Sequence, residues 1–251
     1  MSERLNSTSE ATRENRDAGA TRRMALVRTA SSSAASNAGN STADLLLSDF
    51  HDALLAYTRL SAYASEESRC PVFVRAECTP NGSSRIFERP ECESETCDMV
   101  SCDTIVLAHE VASPADCAPL ADVLHALASS NALNPAARFY AIICDSCSSE
   151  DTATAREAVR ACQQVDACWS GAVVVTDAQL IPRLMRAPRL GMWRRPVARA
   201  IDRLVAAVRI SCALAELDEL LGVEPERANT SNVLVASPHP LWRAIASRMR
   251  H

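Results

Sequence analysis

Short apolar runs alternate along this chain with stretches in which apolar residues recur at helical spacing. The runs are rich in Val, Ile, Leu and Ala and are bounded by polar or turn-forming residues, which is typical of buried strands. The stretches between them have the helical period, as where Leu46, Phe50 and Leu54 fall on one face. The pattern predicts five main strands: Met24–Arg28, Pro71–Glu77, Thr104–Ala108, Arg138–Cys144 and Gly171–Thr176.

Strands that are apolar on both faces and alternate with helices indicate a parallel sheet covered on both sides. The sequence therefore predicts the α/β class, with a doubly wound five-stranded parallel sheet. A last apolar run, Asn232–Ala236, follows the fifth strand. Helices are predicted over Ala43–Leu60, Ala115–Ser129, Glu150–Val165, Pro196–Leu221 and Leu241–Met249.

Two segments do not fit this alternation. Met1–Arg23 is rich in Ser, Thr, Glu, Arg and Asn and has no periodicity, so we expect a disordered tail. Cys78–Cys102 is rich in Pro, Ser, Glu and Cys, which predicts an irregular insertion. The prediction is one domain over residues 24–251 with this insertion at about 78–102.

Charge and composition exclude several classes of function. The net charge is −5, and all 26 positive residues are arginine, so a Schiff-base lysine and a P-loop lysine are ruled out. A mildly acidic chain without a basic block is a poor nucleic-acid binder. No apolar run reaches the ~18 residues that span a bilayer, and no signal peptide is recognisable, so we expect a cytoplasmic protein with no membrane partner.

The segment Thr29–Thr42 consists mainly of small hydroxyl, amide and alanine residues between a strand and a helix. A helix N-terminus presents unsatisfied N–H groups and the positive end of the helix dipole, and therefore attracts anions without a basic side chain. The loop would add donors from Ser31, Ser33, Asn40, Ser41 and Thr42. The sequence thus predicts a phosphate site here, with a polar loop that only caps the helix as the alternative.

Four segments of the chain, in this order, carry a family resemblance: MALVRTASSSAASNAGNSTADLL, DTIVLAHEVASPADCAPLADVLHAL, FYAIICDSCSSEDTATAREAVRACQQVDACWSGAVVV and NVLVASPHPLWRAIASRM. Their order and spacing resemble the flavodoxin-like NAD(P)H-dependent oxidoreductases related to NADPH-dependent FMN reductases. The resemblance implies a flavodoxin-like fold, bound FMN, NAD(P)H as electron donor and a small-molecule electron acceptor. Homodimers are common in the family.

The resemblance also implies where the flavin lies. Ligands of doubly wound sheets bind outside the carboxyl ends of the strands, so the loops after Ala108 and Cys144 would flank the flavin ring. The flavin supplies the hydride chemistry, and we therefore predict no catalytic acid or base. The predicted cofactor-binding residues are Ser31, Ser33, Asn40, Ser41, Thr42, His109, Glu110, Val111, Cys144, Asp145 and Ser146.

Two other interpretations stay open. Ala30 stands where the family has a loop glycine and Val111 where it has a flavin-stacking tyrosine, as expected of a degenerate flavodoxin-like module without enzymatic activity that binds a ligand or partner. The cysteines raise a metal or redox hypothesis, with Cys92, Cys97 and Cys102 as iron–sulfur or zinc ligands, or with a Cys144-x2-Cys147 pair. Buried or incidental thiols are the competing explanation, and we predict no metal ligand.

Overall fold

The computed structural model describes residues 22–29, 41–62, 71–78, 84–87, 102–129, 134–146, 152–165, 167–186, 191–223, 231–239 and 241. Its strands are β1 (Arg23–Thr29), β2 (Val72–Cys78), β3 (Ser84–Phe87), β4 (Thr104–Val111), β5 (Arg138–Asp145), β6 (Cys168–Val175) and β7 (Val233–Ala236). Its helices are α1 (Thr42–Ala62), α2 (Cys117–Ser129), α3 (Ala153–Gln163), α4 (Ile181–Arg186), α5 (Gly191–Ile210) and α6 (Leu217–Leu220). Short 3-10 turns lie at Pro114–Asp116 and Ala178–Leu180.

The described strands form one sheet in the order β3-β2-β1-β4-β5-β6-β7. All neighbours are parallel except β2 and β3, which pair antiparallel at one edge. The expected α/β class with a mostly parallel sheet is confirmed. Because parallel strands all end at the same edge, polar residues at their carboxyl ends are brought together there.

Helices cover both faces of the sheet, as the uniformly apolar strands predict. α1 and α5 pack on one face, against side chains such as Leu26, Val106 and Ile142. α2 and α3 pack on the other, against the alternate residues of the same strands, such as Val27 and Ile143. The two cores thus follow the period-two alternation of side chains along a strand.

The sheet is wider than the sequence indicates. The segment expected to be irregular contains β3, which pairs with β2 through contacts such as Ala76 with Ile86. The apolar run Asn232–Ala236 supplies β7, which pairs parallel with β6. The described sheet therefore has seven strands rather than five. The expected tail before Arg22 and the expected helix after Leu241 lie outside the described residues.

The central strands are longer than their apolar runs. β4 ends at Val111 rather than Ala108, and β5 ends at Asp145 rather than Cys144. The reason is backbone pairing, because β4 and β5 stay in register as far as Val111 and Asp145 although their last side chains are partly polar. His109, Glu110 and Val111 consequently lie in a strand, where their directions alternate.

The helix expected over Pro196–Leu221 ends early, at Ile210. Ser211 has φ 53, and its N–H and that of Cys212 donate to Val208 and Ala207, 3.2 and 3.0 Å away. This is the Schellman arrangement, in which glycine is the preferred left-handed residue. The buried Tyr140 hydroxyl donates to the Cys212 carbonyl at 2.8 Å and fixes this turn to the sheet.

We expect Ser211→Gly to stabilise the protein, because serine pays a steric cost in the left-handed region that glycine avoids. The gain in the free energy of unfolding is about 0.5–1 kcal/mol after the larger chain entropy of glycine is subtracted. Urea unfolding measures it, and Ser211→Ala, which keeps the strain, is the control. A destabilised glycine variant would contradict the assignment of this turn.

Gly171 lies at a register shift where β6 passes between β5 and the segment that leads into β7. Its φ is 138, and a Cβ at this position would lie 2.7 Å from the Asn232 carbonyl oxygen and 2.8 Å from Leu214 Cδ1. The close approach is held by backbone bonds from Ala172 N–H to Asn232 and from Leu214 N–H to Ser170, both 2.8 Å. Only glycine leaves room for it.

Gly171→Ala is therefore expected to destabilise the fold by about 2–4 kcal/mol, from backbone strain together with overpacking. Gly222→Ala is a matched control, since Gly222 also has a positive φ, of 69, but would place a Cβ in open space. Urea unfolding compares the two variants. Equal losses in the free energy of unfolding of the two variants would show that the close contacts around position 171 add nothing to the cost of the positive φ.

Within the described part of the chain, no helix has the length and apolar character needed to cross a membrane.

Candidate functional site

The carboxyl ends of β1 and β4 lie side by side, and the start of α1 meets them there. The connections from the two strands leave towards opposite sides, to β2 and to β5, which makes the space between them the switch point of the sheet. We call this place the β1–β4 crevice. It is bordered by Arg28, Thr29, Glu110 and the first turn of α1.

Ser41 caps α1, as its position before the helical pattern predicts. The Asp44 N–H donates to Ser41 Oγ at 3.1 Å, and the Ser41 hydroxyl lies 3.1 Å from Asp44 Oδ2. Thr42 is the first helical residue, and its hydroxyl donates to the Ala178 carbonyl at 3.2 Å. The cap uses one of the orphan N–H groups of the helix and leaves those of the first two residues for another acceptor.

That acceptor is the carboxylate of Glu110, which reaches α1 from the end of β4. Its Oε2 accepts the Thr42 N–H at 3.2 Å, and the Ala43 N–H also donates to it. Its Oε1 lies 3.4 Å from the Ser146 hydroxyl, just beyond β5. An anion thus lies at the start of α1, where the helix dipole favours one, and the protein itself supplies it.

Among the described side chains near this contact, carboxylates outnumber guanidinium groups. Arg28 forms ion pairs with Asp44 and with Glu77, the latter at 2.5 Å, and all three side chains are partly exposed. Glu110, whose pKa responds to the Asp44 charge, adds a third carboxylate beside this pair of ion pairs. Burial raises the pKa of the Glu110 carboxyl above its ordinary value, the Asp44 charge adds to this, and the donors on Thr42, Ala43 and Ser146 offset part of it.

His109 points to the opposite face of the same strand end and is buried. Its Nε2 lies 3.2 Å from the Asp116 carbonyl oxygen and must carry the proton, so Nδ1 accepts from the Thr29 hydroxyl at 2.5 Å. Burial lowers the pKa of His109 to about 4. The neutral ring therefore joins the end of β1 to the turn after β4.

The turn itself is held by the Asp116 carboxylate. Its Oδ2 accepts the N–H groups of Ala112 and Ser113, at 3.0 and 2.8 Å, and the Ser113 hydroxyl at 3.1 Å. His109 is consequently a structural link between the end of β1 and the turn after β4, and both of its ring nitrogens are engaged within the protein.

The other predicted cofactor-binding residues of this edge are distributed unevenly. Val111, Cys144 and Asp145 are buried at their strand ends, with Val111 in the core under α2 and α3 and Cys144 in the core under α1 and α5. Burial raises the pKa of the Cys144 thiol well above its ordinary value. Ser146 is half-buried, and its N–H donates to the Val111 carbonyl at 2.8 Å. The structure thus brings Ser41, Thr42, Glu110 and Ser146 together.

Several sequence-based hypotheses fall outside the described residues, namely those on Ser31, Ser33, Asn40, Cys92, Cys97 and Cys147. Cys102 is buried just before β4, at the opposite edge of the sheet from the β1–β4 crevice. Among the residues that are described, no group of three or more His, Cys, Asp or Glu side chains could hold a metal ion.

Sequence reasoning missed four residues that shape this site: Arg28, Thr29, Glu77 and Asp116. Arg28 and Glu77 pair because they are neighbours in the β1–β2 register, with each at or near the end of a buried strand. A charged residue at the end of an apolar run was the available signal. The register that joins it to its partner was not visible in a single sequence.

Lowering the pH from 7 to about 4 is expected to destabilise the protein through His109. The folded-state pKa, about 4, lies below the ordinary 6.5, so the unfolded chain binds the proton first and stability is lost as the pH falls between these values. The loss from this group is about 3 kcal/mol. His109→Asn should lose less of its free energy of unfolding over this range than the wild type does. His125→Asn, at an exposed position of α2, is the control and should follow the wild type.

Comparison with known protein families, with curated proteins and with solved structures finds no match to this chain.

Proposed function

We propose that this chain is a flavodoxin-like domain that binds FMN at the β1–β4 crevice and passes electrons from NAD(P)H to a small acceptor. The observation that carries the proposal is the carboxylate held by the first N–H groups of α1. It marks an anion position at the switch point of the sheet, where a doubly wound fold binds its ligand. The phosphate of FMN is the anion proposed for it.

The order of the central strands supports the flavodoxin-like part of the proposal. When the antiparallel β3 is left out, β4, β5 and β6 become the third, fourth and fifth strands along the chain. The central order β2-β1-β4-β5-β6 is then the flavodoxin order 2-1-3-4-5. β3 and β7 extend the two edges of that core. The resemblance of the four sequence segments points the same way, and it is what suggests FMN in particular.

The groups at the crevice fit a phosphate in geometry and, in part, in charge. The N–H groups of Thr42 and Ala43 both donate to the Glu110 carboxylate, and the hydroxyl of Ser146 lies beside it. Among the described side chains, Asp44, Glu77 and Glu110 outnumber the one guanidinium of Arg28, so a phosphate of charge about −2 fits only where Glu110 withdraws.

The proposed roles of this chain's residues are binding and orientation. Thr42 and Ala43 would hold the phosphate through backbone N–H groups, and Ser41 keeps the first turn of α1 formed. The link between Thr29, His109 and Asp116 holds the end of β1 to the turn after β4, which would border the ring. Bound flavin would supply hydride transfer from nicotinamide to the acceptor.

A second candidate is a flavodoxin-like module without flavin or enzymatic activity, which binds another ligand or a partner. The same contact favours it for a different reason, because Glu110 already satisfies the N–H groups that a phosphate would use. The burial of Val111, at the position of the family's flavin-stacking tyrosine, also favours it. The two candidates differ in whether any flavin binds.

Titration with FMN and with riboflavin separates the candidates. If the phosphate binds at α1 in place of the Glu110 carboxylate, FMN should bind at least about 10-fold more tightly than riboflavin, since each charge-assisted hydrogen bond contributes about 1.5–3 kcal/mol and the bonds that Glu110 gives up offset part of the gain. Fluorescence quenching measures both affinities, and bleaching of the visible flavin bands on addition of NADPH tests electron transfer. Equal affinities would place the phosphate elsewhere. A protein that binds neither compound would overturn the FMN proposal and favour the module.

A further inference from the structure

We infer that Glu110 is an internal competitor for the anion position at α1, so that a ligand phosphate binds there only by displacing its carboxylate. This inference rests on the proposed function, because it concerns the entry of a ligand into the same site. It makes the β4–α1 contact an autoinhibitory one, in which the ligand-free domain closes its own site.

The geometry of the contact between Glu110 and the start of α1 allows this contact to open. Glu110 is the penultimate residue of β4, so its backbone is fixed by pairing with Cys144 of β5, while its side chain is only half-buried. Its bond to the Thr42 N–H, at 3.2 Å, lies at the long end of the usual range, and its contact with the Ser146 hydroxyl, at 3.4 Å, is longer than a usual O–H···O bond. The carboxylate can leave by rotation of its own side chain, without any break in the sheet.

The charges around Glu110 favour exchange over joint occupancy. It faces Asp44 from α1 and the neutral Cys144 thiol from β5, and Asp44 is itself paired with Arg28 of β1, which also pairs with Glu77 of β2. The one guanidinium among them is already paired with two carboxylates. A phosphate beside an ionised Glu110 would therefore meet uncompensated repulsion in a partly buried place.

Exchange makes ligand affinity depend on the protonation of Glu110. A protonated Glu110 is a weaker acceptor for the α1 N–H groups and no longer repels a phosphate, so the competitor is removed as the pH falls. Burial and Asp44 raise the pKa of Glu110, which moves this change towards neutral pH. The phosphate itself also gains a proton near pH 6, so the test compares two proteins at each pH.

The variant Glu110→Gln keeps the size of the side chain and removes its charge. Glu157→Gln is the matched control, because it removes one carboxylate from the exposed surface of α3, on the opposite face of the sheet. The dissociation constant of FMN is measured for wild type and both variants between pH 5 and pH 8. Inorganic phosphate is a second probe, read as a shift in the thermal unfolding temperature.

We expect Glu110→Gln to bind FMN at least about 10-fold more tightly than the wild type at pH 8, while Glu157→Gln equals the wild type. The ratio of the two dissociation constants should be smaller at pH 5 than at pH 8, because the raised pKa of Glu110 favours its neutral form as the pH falls. Equal binding by wild type and Glu110→Gln at every pH would overturn the inference and leave the proposed function standing. A gain of phosphate binding without FMN binding in Glu110→Gln would support the inference and overturn FMN as ligand. No response of either the wild type or Glu110→Gln to either probe would overturn both.

Discussion

The first turn of α1 sets the constraint on which this edge of the molecule depends. A helix that begins at the carboxyl edge of a parallel sheet brings unsatisfied N–H groups to the place where the polar ends of the strands converge. The Ser41 hydroxyl accepts a hydrogen bond from one of these groups locally, and the Glu110 carboxylate accepts from two of them across the crevice, from the end of β4. The helix start, the end of β4 and the residue after β5 are thereby joined by one carboxylate.

The contacts beside the crevice differ between the two faces of the sheet. On the α2–α3 face, the Thr29 hydroxyl, the neutral His109 ring and the Asp116 carbonyl form a buried chain of hydrogen bonds. On the α1–α5 face, Glu110 and its neighbours are charged and partly exposed. The alternation of side chains along β4 produces this division, because His109 and Glu110 are consecutive and must point to opposite faces. The buried side joins two strand ends through hydrogen bonds within the protein, and the charged side is where we propose that a ligand replaces Glu110.

The sequence was sufficient for the layers of the fold and insufficient for the site. Apolar runs predict the central strands and helices because burial on both faces leaves a strong pattern, as in Arg138–Cys144. The run in β4 stops at Ala108, although backbone pairing continues to Val111, because hydrogen bonds between strands do not require apolar side chains. Ser41 was predictable as a cap, since its partner lies three residues away. Glu110 could be nominated only through the resemblance, and its partner Thr42 lies 68 residues from it, so its role as a cap needed the three-dimensional structure.

Glu110 is poorly explained as a cap that exists only for stability. Its folded-state pKa is raised, so the fold binds a proton more readily there than the unfolded chain does. Stability from this group is therefore greatest below the ordinary pKa of 4.5 and falls as the pH rises through the folded-state value. At neutral pH the fold holds an ionised carboxylate although burial favours the protonated form. A neutral amide or hydroxyl acceptor could satisfy the same N–H groups without the cost of a partly buried charge. A charged acceptor that the fold disfavours, bound by long hydrogen bonds at the switch point, is suited to being replaced by a stronger anion. The proposed exchange of ligands at α1 therefore rests on the charge and the geometry of the Glu110 contact rather than on a sequence motif.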